Sequence, residues 1–139
     1  MRFPGIFLLV PVFMASCEFA GMHRVRGNGV HSSQNRSAGS FSRIELTGPM
    51  DLVLTQGGTP GVRVETDENL QQYVETNVDG NTLHVQLRDG YSIGGKASMK
   101  VYVTTPSLSE LEVTGSGDVT SGGRFNGNRL NITVTGSGS

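Results

Sequence analysis

The sequence predicts an all-β protein of solenoid-like build, with short strands joined by tight glycine corners, a wider and more antiparallel front half and a regular back half. Three observations carry this. Apolar and polar residues alternate in run after run, the period of a strand with one buried face. Glycine is abundant at 20 of 139 residues, hydrophobic residues make up only 35% and tryptophan is absent, which suits thin β-architecture with many turns rather than a helical bundle. Finally, Leu111-Glu112-Val113-Thr114-Gly115-Ser116-Gly117-Asp118 recurs 21 residues later as Ile132-Thr133-Val134-Thr135-Gly136-Ser137-Gly138-Ser139.

The chain begins with a positive Met1-Arg2 and an apolar run, Ile6 to Val10 and Val12 to Met14, interrupted by Pro11. A membrane-spanning helix needs about 20 apolar residues, so this run is too short and reads as a signal peptide over residues 1–16. Met14-Ala15-Ser16-Cys17 resembles the lipobox of bacterial lipoproteins, with Met14 where leucine is usual. That resemblance implies that Cys17 is lipidated, becomes the mature N-terminus and anchors an exported protein to a membrane of the cell envelope, with the outer membrane expected. Cys17 is the only cysteine, so the chain can form neither an internal disulfide nor a multi-cysteine metal site. Residues 17–39 are polar and irregular and read as a tether, with a weak first strand over 30–37.

Strands follow at Ile44/Leu46, Val62/Val64, Leu83/Val85/Leu87, Met99/Val101/Val103 and Leu130/Ile132/Val134. Ile44-Glu45-Leu46-Thr47-Gly48-Pro49-Met50-Asp51 repeats the strand-and-turn outline 67 residues before the Leu111 copy. A 21-residue period is too short for a propeller blade and fits one coil of a solenoid. Stacked coils would set Leu111 over Ile132 and Val113 over Val134, with Gly115, Ser116, Gly117, Gly136, Ser137 and Gly138 forming the corners. Between these units, residues 67–74 read as one or two helical turns capped by Thr66 or Asp67, with Leu70, Tyr73 and Val74 on one face. Asp79-Gly80-Asn81 signals a hairpin and Gly94-Gly95-Lys96 a loop.

Several of these segments, in order, resemble one family. They are residues 40–46, 50–57, Glu65-Thr66-Asp67-Glu68-Asn69-Leu70, Val78-Asp79-Gly80-Asn81-Thr82-Leu83, residues 101–108 and Gly115-Ser116-Gly117-Asp118. Together they are similar to the putative auto-transporter adhesin, head GIN domain family of bacteria, over residues 40–139. The resemblance implies a right-handed β-helix-like fold, a cell-envelope location and a role in adhesion. It transfers no catalytic residue. Family members commonly continue with further Gly-Ser-Gly coils, so a domain truncated at its C-terminus is expected, with self-association through the C-terminal edge.

The charge balance, 11 Lys+Arg against 12 Asp+Glu, leaves no nucleic-acid footprint. A polysaccharide-cleaving β-helix enzyme would need clustered carboxylates. Asp51 and Asp118 occupy equivalent repeat positions but read as turn residues, and Ser139 replaces the acid in the last copy. A calcium site at Asp118 lacks an Asp-rich loop. His23, His31 and His84 are too scattered for a metal set, and His84 reads as solvated. Ser116 and Ser137 lack the strand context of a nucleophile elbow. Thr47, Thr114 and Thr135 share one repeat position, as suits half-exposed strands. Tyr73, Tyr91 and Tyr102 are the aromatic candidates for a glycan platform, with Tyr73 expected to be buried. The sequence therefore points to a non-catalytic lipoprotein without cofactor, a binding or adhesion module for a cell-surface glycan or protein. A polysaccharide-active enzyme and a structural or signalling subunit of an envelope complex are the competing readings.

Overall fold

The computed structural model describes residues 23–95, 97–121 and 131–136. The chain is all-β, as expected, apart from one short helical segment. In order it forms β1 (His23–Arg26), β2 (His31–Arg36), β3 (Arg43–Thr47), β4 (Asp51–Gln56), β5 (Gly61–Asp67), a 3-10 helix (Glu68–Tyr73), β6 (Val74–Asp79), β7 (Thr82–Leu87), β8 (Tyr91–Gly94), β9 (Lys100–Thr105), β10 (Glu110–Thr114), β11 (Val119–Ser121) and β12 (Asn131–Thr135). Strand order in the first sheet is β12-β10-β3-β7-β6, and in the second β11-β4-β9-β5-β2; β1 and β8 form a separate parallel pair.

Period-two alternation sends one side chain in two inward. Ile44, Leu46, Leu83, Val85, Leu111 and Val113 of the first sheet meet Leu52, Leu54, Val62, Val64, Val101 and Val103 of the second in one core, joined by Phe41, Met50, Met99 and Leu108. Each such side chain contributes about 1.5–3 kcal/mol when fully buried, before the entropy of ordering is subtracted.

The strand pairs β3–β4 and β10–β11 each run from the first sheet, round a glycine corner, into the second. They lie parallel, with Leu111 beside Ile44, Val113 beside Leu46 and Val119 beside Leu52. β12 extends the stack in parallel, with Ile132 beside Leu111 and Val134 beside Val113. On the other side of β3–β4, β7 and β9 are also parallel to their neighbours. Beyond them the pairing turns antiparallel: β6 on β7 in the first sheet, β5 on β9 and β2 on β5 in the second. The 67-residue spacing between two copies of the motif thus reflects an excursion, β5 to β9, that builds the antiparallel end before the chain returns to the stack.

Two local expectations differ in detail. The helical turn is a 3-10 segment in which Leu70 and Val74 are buried but Tyr73 is only half-buried. Asp67 stands at its N-cap without a side-chain capping bond; its Oδ2 instead accepts the Gly29 N–H at 3.1 Å. The hairpin between β6 and β7 turns at Gly80, φ +65°, and Asn81, where a left-handed residue suits the two-residue turn.

The polar segment 17–39 holds β1 and β2 in its described part; β2 lies where a weak first strand was expected over 30–37 and pairs with β5 along six residues from His31↔Asp67 to Arg36↔Val62. Its polar composition makes the strand signal weak, because an edge strand can be held largely by backbone pairing. One side chain adds to it. The Arg36 guanidinium donates to Val74 O at 2.8 Å, Gln71 O at 2.9 Å and Gln71 Oε1 at 3.2 Å, tying the edge of the second sheet to the start of β6 in the first. Desolvation by burial lowers its pKa below the ordinary arginine value.

Candidate functional site

The glycine corners are built for stacking. Gly48, Gly115 and Gly136 have φ of +133°, +144° and +113°, a left-handed backbone that favours glycine. A Cβ at Gly115 would sit 2.0 Å from Gly48 O, one at Gly136 2.3 Å from Gly115 O, and one at Gly117 1.8 Å from Met50 O. The corner backbones hydrogen-bond through the stack: Gly48 N–H donates to Thr114 O and Gly115 N–H to Thr135 O, both at 2.9 Å. Asp51 and Asp118 do come together at this corner, as backbone partners. Asp51 Oδ1 accepts the Asp118 N–H at 2.9 Å, and Leu52 N–H donates to Asp118 O at 2.8 Å. Asp51 therefore caps the neighbouring corner instead of its own. Ser116 is exposed at the tip of the corner. Cys17, Leu130, Ser137, Gly138 and Ser139 lie outside the described residues.

The outer face of the first sheet is polar and extended. One row reads Thr135, Thr114, Thr47 and Gln86, the threonine ladder foreseen from the repeat. The next reads Thr133, Glu112, Glu45, His84 and Asn77. Neighbouring glutamates repel. His84 Nδ1 lies 3.5 Å from Glu45 Oε2, so this histidine has a carboxylate neighbour and is more than merely solvated. Arg43 Nε lies 3.6 Å from Glu110 Oε2. Among the described residues, no group of three His, Cys, Asp or Glu side chains is placed to hold a metal ion.

The outer face of the second sheet carries the one aromatic platform candidate on a central strand. Tyr102 of β9 lies between Val53 of β4 and Arg63 of β5. The Arg63 guanidinium stacks 4.3 Å from the Tyr102 ring centre, and its Nη2 lies 3.2 Å from Glu65 Oε2. The next row along, Thr55, Thr104 and Gly61, is short. The drop from long to short side chains leaves an open depression of about 380 Å³ lined by Asn35, Thr55, Gly61, Arg63, Tyr102 and Thr104, among others. Sequence reasoning singled out Tyr102 but not Asn35, Gly61 or Arg63. With Tyr102 they come from three strands whose adjacency is set by the β2–β5–β9 topology, and no local pattern signals it.

The other two tyrosines are used internally. Tyr73 and Tyr91 pack with ring centres 4.6 Å apart at 36°, and His23 packs on Tyr91 at 5.5 Å. Their faces are largely occupied by each other, which argues against a platform there.

Comparison with known proteins fits this architecture. The chain resembles solved structures described as a putative adhesin from Parabacteroides merdae (25% identity, TM-score 0.72, covering 80% of this chain and 46% of that one). It also resembles a putative lipid binding protein from Parabacteroides distasonis (26%, TM-score 0.73, covering 81% and 49%). A putative adhesin from Bacteroides fragilis shares the fold at 20% identity (TM-score 0.77, covering 82% and 53%). The chain thus spans about half the length of these relatives. No curated protein matches the sequence. Residues 40–139 match the family described as "Putative auto-transporter adhesin, head GIN domain", and with well over half of its length covered, the chain belongs to that family.

Proposed function

We propose that this chain is a non-catalytic module of the cell envelope that is exported, anchored through lipid on Cys17 and used for adhesion or ligand binding. The observation that carries the reading is the pair of broad, polar outer sheet faces, set on a core closed by stacked glycine corners. Such rigid open faces suit a binding partner larger than a small substrate. Membership of an adhesin-named family supports it, as do relatives named adhesin and lipid binding protein. On this reading the corner-linked parallel pairs β3–β4 and β10–β11, with β12, are coils of a right-handed β-helix. The signal peptide occupies 1–16, and residues 17–39 carry the lipidated Cys17 and the polar segment that links the anchor to the domain, with β1 and β2 in its described part.

Two measurements test this. Mass spectrometry of the exported protein should find acyl chains on Cys17, and Cys17→Ser should release the protein from membranes; a membrane-free wild-type protein with another N-terminus overturns the anchor. Beads coated with the chain should adhere to glycan- or protein-bearing cell surfaces, and beads coated with the unfolded chain should not. Equal adhesion by both overturns the binding reading. Polysaccharide turnover abolished by Asp51→Ala or Asp118→Ala would assign an enzyme instead.

A further inference from the structure

The depression on the outer face of the second sheet combines features that the fold itself does not need. Gly61 is the first residue of β5, opposite Thr104, its φ is not positive, and a Cβ built there would meet nothing within 4 Å. Glycine in a strand gives up packing and costs conformational entropy, and no close contact demands it here. Its effect is to keep the floor of the depression open. Around that floor stand the side chains of Asn35, Thr55 and Thr104 and the Tyr102 hydroxyl. None of these groups makes a hydrogen bond among the described residues. Arg63 is held in place by Tyr102 and Glu65, and Glu65 offsets its charge.

The chemistry of this set is specific in kind. Two aliphatic hydroxyls, a phenol and a carboxamide offer donors and acceptors in mixture, and their charge sum is zero. The edge of the Tyr102 ring, over whose face Arg63 stacks, provides apolar surface. A ligand that satisfies them must carry many hydroxyls on a partly apolar ring. A purely lipidic ligand would leave the polar groups unpaired, and an anion would find a cation that already has a partner.

We propose that the depression floored by Thr55, Thr104 and Gly61 and walled by Asn35, Arg63 and Tyr102 is a binding subsite for a neutral saccharide unit. This rests on the reading of the chain as a binding module and names the ligand class. Tyr102 supplies its hydroxyl and the ring edge beside the stacked Arg63, Arg63 and Asn35 donate to ring hydroxyls, and the two threonines exchange hydrogen bonds with the ligand from below.

The test uses the exported chain carrying Cys17→Ser for solubility. It is titrated calorimetrically with tetrasaccharides of glucose, mannose, galactose and N-acetylglucosamine, and with tetragalacturonate. At least one neutral tetrasaccharide should bind with Kd of about 1 mM or tighter. Gly61→Val fills the floor with a residue that suits a strand, and Tyr102→Ala removes the wall. Each should weaken binding at least about tenfold, as hot-spot contacts do. Glu112→Gln, on the other sheet, should leave Kd unchanged, and an unaltered thermal melt of Gly61→Val shows that the fold is intact. Neutral binding that survives both site variants overturns the proposal, as does binding of tetragalacturonate alone or of none of the five. If none binds while coated beads still adhere to cells, only the saccharide assignment falls; if the beads also fail, the binding-module reading falls with it.

Discussion

Gly115 is the residue where stacking and sequence are most tightly bound. Its φ of +144° is unfavourable for any L side chain, and a methyl group would lie 2.0 Å from the Gly48 carbonyl oxygen, which is backbone and cannot swing away. Both effects act in Gly115→Ala, and strain of this kind costs about 1–3 kcal/mol at a single position even before the clash is counted. We expect Gly115→Ala to destabilise the domain by at least about 3 kcal/mol in urea unfolding, whereas Gly61→Ala, with open space around it, should change stability by less than about 0.5 kcal/mol or raise it. Similar losses from both substitutions would show that the corners are not held by close backbone approach. Gly48, Gly115 and Gly136 were legible in the sequence as breaks after a strand, because glycine marks such positions. What the sequence could not reveal was the oxygen that each glycine accommodates: for Gly115 it is Gly48 O, in the motif copy whose Asp51 accepts the Asp118 N–H across 67 residues.

At the scale of elements, the strands with alternating apolar residues were readable because burial on one face imposes period two, and the β6–β7 hairpin because Asp79-Gly80-Asn81 fits a two-residue turn. β2 was only faintly readable. His31-Ser32-Ser33-Gln34-Asn35-Arg36 contains no apolar residue, so periodicity has nothing to register. Its strand character comes from the exposed edge of β5, and from hydrogen bonds in which Gln71 Nε2 donates to Ser32 Oγ at 3.0 Å and Arg36 reaches across to Val74 O. The consequence is testable. If residues 17–39 were a simple tether, a chain beginning at residue 40 would be as stable as one beginning at 23. The structure instead predicts that the shorter chain uncovers Val62 and Val64 along β5, frees the Gln71 side chain and loses the Arg36 link. A loss of about 2–4 kcal/mol is expected in paired denaturation curves, from several hydrogen bonds at about 1 kcal/mol each plus the newly exposed apolar area. Equal stability of the two chains would return β2 to the status of a tether. Arg36→Met in the longer chain should reproduce part of the loss, because it removes the guanidinium bonds to Val74 O and Gln71 O, the latter keeping only the Val74 N–H.

At the scale of the whole molecule the two ends of the strand stack differ. One end is closed by antiparallel β6, β5 and β2. At the other, β12 presents Ile132 at 57% exposure and Val134 at 39%, while their counterparts Leu111, Val113, Ile44 and Leu46 in the two strands behind are at most 1% exposed. The same core stripe that is sealed within the stack therefore reaches solvent on β12. Three successive strands of one pattern lie in parallel register, so the surface on β12 is complementary to another strand with apolar residues at the same two positions. Covering Ile132 and Val134 contributes at most about 1.5–3 kcal/mol each, and pairing along the β12 edge, on which no further described strand lies, adds to that, which places association in the range of about micromolar to millimolar concentration. We therefore expect sedimentation of the chain with Cys17→Ser to show concentration-dependent self-association. Replacing Ile132 and Val134 together by lysine should abolish it without lowering the thermal midpoint, because neither side chain is buried in the single copy. A monomer at every concentration whose 131–135 amides nonetheless exchange slowly would mean that β12 is covered from within the chain, and would remove the open edge as an interaction surface.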